Sequence, residues 1–188
     1  VAAMIEDWLK DAEVRMEKSL EALQKELQGI RTGRATPALI DRLQVDYYGA
    51  PTPLQSLASI TAPEARLLVI QPYDRGAITA IEKAIQKSEL GLNPGNDGQL
   101  IRIPVPALTE DRRKDFVKLV KRHAEEARVS IRNIRRDEVD HVRRMEKEGE
   151  AGIDEIDRGL AQIQKITDRY IARVEEIAHR KEVDILEV

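Results

Sequence analysis

From Ile5 onward apolar residues return at positions 5, 8, 9, 12, 16, 20, 23, 27 and 30, the three-then-four spacing that gathers side chains on one helical face. This predicts a long first helix that stops near "GIRTGRATP", where Gly29, Gly33 and Pro37 interrupt a good helix-forming run. The period then changes. In "LQVDYYGAPTPL", Val45, Tyr47 and Tyr48 favour a short strand, whereas Gly49, Pro51 and Pro53 do not suit a strand interior and predict a turn. "ARLLVIQPY" is the clearest strand, with Leu67, Leu68, Val69 and Ile70 bounded by Pro72, and the amphipathic "AITAIEKAIQKS" after it predicts a helix. "LGLNPGNDGQLIRIPVP" reads as a turn-rich connector, closed through its Asn-Pro and Asp-Gly pairs, with a terminal strand around residues 100 to 105.

Beyond Pro104 and Pro106 the helical period returns. Thr109 is a suitable N-cap with acids just inside it, and a helix is expected from there to about Lys147, with Phe116, Val120, Ala124, Ala127, Ile131, Ile134, Val142 and Met145 on its core face. "EGEAG" breaks it. A last helix carries Ile153, Ile156, Leu160, Ile163, Ile166 or Thr167, Tyr170, Val174 and Ile177, close to a sustained heptad. Three such helices bury their stripes best against one another, as a bundle roughly 45 to 60 Å long at 1.5 Å per residue. Because the first helix is separated from the other two by the mixed segment, that segment must be an insertion. The expected fold is α+β in two domains: a long antiparallel three-helix bundle from residues 1–30 and 106–188, and a small β-rich α/β domain with one or more short helices at 31–105. Hinges are expected near 30–33 and 103–108, where Gly and Pro occur and the connections are short.

Composition narrows the function classes. Among 188 residues, 41% are hydrophobic and 35% charged, as in a globular protein with long charged helices, while aromatics at 3% argue against a large aromatic-lined ligand pocket. With no cysteine there is no disulfide, thiolate nucleophile or cysteine metal site, which suits a reducing compartment. No stretch has the uncharged apolar length of a signal peptide or membrane span. The chain is therefore expected in the cytoplasm; a processed terminus at Val1 would equally suit an organellar stroma or matrix. The net charge of -3 argues against indiscriminate DNA coating but averages over faces.

The local face that matters is in "IRNIRRDEVDHVRR", residues 131–144. At about 100° per residue, Arg128, Arg132 and Arg135 fall within about 60° of one another beside the Ile131 and Ile134 edge, with Lys121 on the same line, Arg113 nearer the core border, and Arg136 and Arg143 widening the far side. Nearby Glu125, Asp137, Glu138 and Asp140 could neutralise this stripe as ordinary surface ion pairs. Against that, Arg128, Arg132, Arg135 and Arg136 outnumber acids locally, and guanidinium is the group that meets phosphate with two prongs. The stripe points to structured RNA or an acidic protein surface, with no base-reading module for duplex DNA.

Catalytic candidates are poor. His123, His141 and His179 are scattered, without His-x-x-x-His spacing, so no zinc site is expected from the spacing. Tyr47, Tyr48, Tyr73 and Asp74 have no activating histidine beside them, and "GIRTGRATP" lacks the Gly-Lys-Ser or Gly-Lys-Thr ending of a nucleotide-binding loop. No enzyme mechanism and no cofactor emerge. Arg31 and Arg34, across Thr32 and Gly33, suit either RNA contact or fixing of the domain junction, together with Pro104 and Pro106 on the return crossing.

"KDAEVRM" (10–16), "IRTGRATPALID" (30–41), "VDYYGAPTPL" (45–54), "LASI" (57–60), "IEKAIQKSELGLNPGNDGQLIRIPVPALTEDRRKD" (81–115) and "RNIRRD" (132–137) together resemble the bacterial ribosome recycling factor family, in the family's order and from about residue 4 to the C-terminal end. The resemblance implies a monomeric, non-enzymatic, near-L-shaped pair of domains. It implies binding to the post-termination ribosome, chiefly to large-subunit ribosomal RNA, and splitting of the subunits with elongation factor G and that partner's GTP hydrolysis. It maps the family's basic bundle residues onto Arg113, Arg132 and Arg135, and Arg128 and Arg136 fit the same surface. A helical adaptor for an acidic protein surface is the alternative from the residues alone.

Overall fold

The computed structural model describes residues 2–88 and 90–187. In chain order the elements are helix α1 (Ala2–Gln28), strands β1 (Gln44–Tyr47) and β2 (Ala50–Pro53), the single turn α2 (Leu54–Leu57), strands β3 (Ala58–Glu64) and β4 (Leu67–Pro72), helix α3 (Ile78–Lys87), strands β5 (Gly95–Asn96) and β6 (Ile101–Pro104), and helices α4 (Glu110–Lys147) and α5 (Ile153–Leu186). They fall into two compact units: Val1–Ile30 with Arg113–Val183, and Arg31–Arg112 with Asp184–Val188.

In the helical unit, α1 buries Ile5, Ala12, Met16, Leu20, Leu23 and Leu27, and α4 buries Val120, Ala124, Ala127, Ile131, Ile134, Val142 and Met145, matching the apolar stripes of both segments. Phe116 is only half buried. Thr109 caps α4, its hydroxyl accepting from the Arg112 backbone N–H at 3.2 Å, and Glu110 and Asp111 occupy the first turn, where carboxylates meet the positive end of the helix dipole. The stop comes at "EGEAG", where Gly149 takes φ +69°. Cross-helix pairs set the directions. Arg15 meets Asp137 at 2.9 Å while Ser19 meets Ser130 at 2.7 Å, so partners run in opposite senses and α1 is antiparallel to α4. Glu13 meets Arg169 and Glu17 meets Arg173, so α1 runs parallel to α5. In α5 the stripe starts later than expected: Ile153 is 69% exposed and Ile156 is the first buried residue, whereas Ala178 extends the core beyond Ile177.

The α/β unit has its own core of Ile40, Val45, Leu54, Leu68, Ile70, Ile81, Ile85, Ile101 and Ile103. β4 buries Leu68 and Ile70, and β6 buries Ile101 and Ile103, the alternation of strands covered on one face. The four-stranded antiparallel sheet runs β3-β4-β6-β5. β1 and β2 form a separate ribbon joined by Tyr48 and Gly49, both at positive φ, and Pro51 and Pro53 stand on this two-stranded ribbon, where a missing donor is tolerated. Asn96 to Leu100 closes the β5–β6 turn: Asp97 Oδ1 accepts from the backbone N–H groups of Leu100 and Gln99, and Asn96 Oδ1 from Gly98.

The C-terminal end of α5, from Asp184, lies with the α/β unit. Arg34 Nη2 holds Glu187 Oε1 at 2.6 Å, and the Glu187 carbonyl lies 3.4 Å from where a Cβ on Gly33 would stand.

Candidate nucleic-acid interface

The stripe arginines of α4 divide by what holds them. Arg128 is committed: its Nε donates to Glu125 at 2.9 Å and its Nη1 to Glu175 of α5 at 2.6 Å, leaving the side chain 20% exposed. Burial pulls its pKa down, and the bonds from these two carboxylates outweigh that, so the net direction is up. Arg132 is exposed and touches Glu125 Oε1 only at 3.8 Å. Arg135 is half buried and Arg136 exposed, and among the described residues neither has a carboxylate at ion-pair distance. Arg113, also half buried, keeps a solvent-sealed Nε without a hydrogen-bond partner.

Local acids go elsewhere. Asp137 and Glu138 both receive Arg15 of α1, at 2.9 and 3.2 Å, so two of the four carboxylates that could have neutralised the stripe are spent on helix packing. The plain ion-pair reading therefore holds for Arg128, and weakly for Arg132. Arg135 and Arg136, with no carboxylate at ion-pair distance among the described residues, keep two-pronged donors of the kind that meets a phosphate oxygen.

The junction residues face partners within the α/β unit. Arg31 Nη2 donates to the Pro106 carbonyl, and burial lowers its pKa, with Arg112 adding repulsion. Arg34 takes Glu187, the Ala35 N–H reaches the Ala65 carbonyl at 2.7 Å, and Val105 N–H reaches Arg66 at 2.8 Å. Thr32, Gly33, Pro104 and Pro106 lie within the α/β unit, beside these hydrogen bonds.

The enzymatic candidates serve the fold. Asp74 accepts from Tyr47 Oη at 3.0 Å and from Gly76 N–H at 2.9 Å, capping a short 3-10 turn, and the bond raises the Tyr47 pKa. His141 lies against Trp8, with ring centroids 4.2 Å apart and the planes tilted by 43°.

Three long helices with a small sheet domain inserted after the first define a two-unit α+β protein, with a stripe of arginines along α4. The family model for the ribosome recycling factor matches residues 23–186. Ribosome-recycling factors of Bacillus cereus (strain AH187) and Halalkalibacterium halodurans are 57% and 55% identical over 180 and 185 residues, covering 96% and 98% of this chain and 97% and 100% of theirs. A solution structure of a ribosome recycling factor superposes with a TM-score of 0.77 at 42% identity, covering 98% of both chains. A second structure models the T. thermophilus factor and E. coli elongation factor G on the E. coli post-termination complex; it matches with a TM-score of 0.67 at 49% identity, over 97% of this chain and 98% of that one. The chain belongs to the ribosome recycling factor family. Its function is that of the family: with elongation factor G and GTP hydrolysis by that partner, it promotes dissociation of the post-termination ribosome into subunits.

Proposed function

We propose that the helical unit grips large-subunit ribosomal RNA through α4, with Arg132, Arg135 and Arg136 on phosphate oxygens, Arg113 at the N-terminal end of the same line, and Arg128 contributing mainly by shaping the surface. The observation that supports this is the absence of any carboxylate at Arg135 and Arg136, among the described residues, on a unit otherwise laced with ion pairs. Counterions displaced from RNA then supply a large share of the affinity. The protein acts as a monomer in the cytoplasm, with elongation factor G as its protein partner and no role on membranes or DNA. Val1, whose identity raised the organellar alternative, lies outside the described residues. The crossings at 30–33 and 103–108 are read as hinges between domains 1–30 plus 106–188 and 31–105. Val183 adds a third point where the chain passes between the compact units.

The test is splitting of purified post-termination ribosomes, followed by light scattering with elongation factor G and GTP. Arg132→Glu and Arg135→Glu, checked for unchanged helicity, are expected to slow splitting at limiting factor by roughly tenfold or more. Parent-like splitting by both variants would overturn the assignment of the stripe.

A further inference from the structure

Away from the arginine stripe, α1 and α4 bring together three side chains that are distant in sequence. His123 Nδ1 lies 2.8 Å from Glu26 Oε2 and 3.4 Å from Glu126 Oε2. The three ligand atoms are all within 4.8 Å of one another. We propose that Glu26, His123 and Glu126 form a divalent transition-metal site that ties α1 to α4, with zinc(II) as the fitting ion.

The geometry carries this in three ways. First, a tetrahedral ion with bonds of about 2.0–2.1 Å keeps neighbouring ligand atoms roughly 3.3 Å apart, and the imidazole nitrogen already stands at close to that separation from both carboxylate oxygens. Second, Nδ1 is sealed from solvent and meets no partner in hydrogen-bonding geometry, although two anionic oxygens face it. A divalent cation between the nitrogen and the two carboxylate oxygens would satisfy all three at once. Third, the oxygens are free to serve. Arg122 Nε approaches Glu126 through its other oxygen, Oε1, at 3.8 Å, leaving Oε2 to the imidazole.

The donor set chooses the ion. One imidazole with two carboxylates suits zinc, cobalt or nickel; magnesium and calcium prefer oxygen alone, and copper(I) prefers sulfur. His123 and Glu126 are one helical turn apart on α4 and Glu26 comes from the last turn of α1, so the three converge only when the helices pack. A cleft of about 160 Å³ borders the cluster, lined also by Ser19, Ala22, Leu23 and Ser130, and has room for a water molecule that could complete the coordination. The proposal concerns the stability of the helical unit and is independent of the RNA reading.

The alternative occupant of the gap is a proton on Nδ1, and metal titration separates the two. The full chain, stripped with chelator, is titrated with zinc chloride by calorimetry and with cobalt(II) chloride by visible absorption. The expected result is saturable one-to-one binding, an absorption band of four-coordinate cobalt, and a melting temperature raised by roughly 5–10 °C when zinc exceeds its dissociation constant about a hundredfold. Glu26→Gln, at a 45% exposed side chain that should not disturb folding, and His123→Gln should each weaken binding by at least roughly tenfold. No saturable binding up to about 1 mM zinc, or binding that both folded variants leave unchanged, would overturn the site.

Discussion

Glu138 shows how much one side chain can decide inside the helical unit. It has no exposed surface; Oε1 accepts from Arg15 at 3.2 Å and Oε2 has no partner. Burial pushes its pKa from 4.5 up to about 7, the neighbouring Asp11 adds to the rise, and Arg15 pulls partly back. Between those two values the folded chain keeps a proton that the unfolded chain has released, so stability falls as pH rises through the window and the penalty is fully present above it. Glu138→Gln retains an acceptor for Arg15 and removes the buried charge. At pH 8 the variant is expected to be at least as stable as the parent, by a margin on the order of 2–3 kcal/mol at most, and the margin should close as pH falls toward 4.5. Thermal melts across pH measure it; a variant less stable at every pH would mean that the charged pair with Arg15 outweighs burial. Asp97 has the opposite sign. Backbone bonds from Leu100 and Gln99, with Arg102, lower its pKa from 3.8 to about 2, so its contribution is present above the higher value and lost as pH falls toward the lower.

At the scale of elements, the closeness of α5 to α1 depends on Gly159. A Cβ built there would stand 2.9 Å from Cγ2 of Ile5, a buried β-branched side chain with little freedom to turn away. Alanine would gain up to about 1 kcal/mol of helix propensity, but overpacking costs about 1–3 kcal/mol. Gly159→Ala is therefore expected to destabilise the protein by on the order of 1 kcal/mol, read from denaturant unfolding, with Ile5→Ala in the same chain relieving the clash. A stabilised single variant would show that the first turns of α1 yield freely. Elsewhere, the elements that were legible in sequence are those with one continuous buried face. α1 and α4 keep their period because a long helix packs along its whole length. β4 and β6 alternate because one face of each is covered. β3 was missed because only Ala58 of its seven residues is buried, which leaves no alternation to detect. β5, two exposed residues, and α2, a single turn, are too short to show any period.

Across the whole molecule, the stripe makes a prediction that no single contact does. If Arg132, Arg135 and Arg136 engage phosphates, log affinity for ribosomes must fall linearly with log salt, and Arg135→Gln should reduce that slope by about one. Arg128→Gln should leave the slope near the parent's, because Glu125 and Glu175 already neutralise this guanidinium. Binding measured over a salt series separates the two, and equal slopes for both variants would place Arg135 and Arg128 in the same role. Net charge alone, at -3, would have argued against a polyanion partner. What counts is which cations remain unpaired after the helices pack.

The sequence by itself determined the architecture and the family: three apolar stripes of helical period, a mixed segment inserted after the first, and a series of motif blocks in order along nearly the whole chain. These are properties of neighbours in the chain, which periodicity and identity expose directly. Only the tertiary structure decided how the charges are spent. Helical spacing placed Arg128, Arg132 and Arg135 on one line, but Glu175, some 47 residues away, commits Arg128, while Arg15 on another helix draws Asp137 and Glu138 off the stripe. The same holds for His123. Linear spacing offered it no second histidine, whereas helix packing sets Glu26 beside it at 2.8 Å. Ion pairs and ligand clusters depend on distances of a few ångströms between segments far apart in the chain, and no local period encodes those distances.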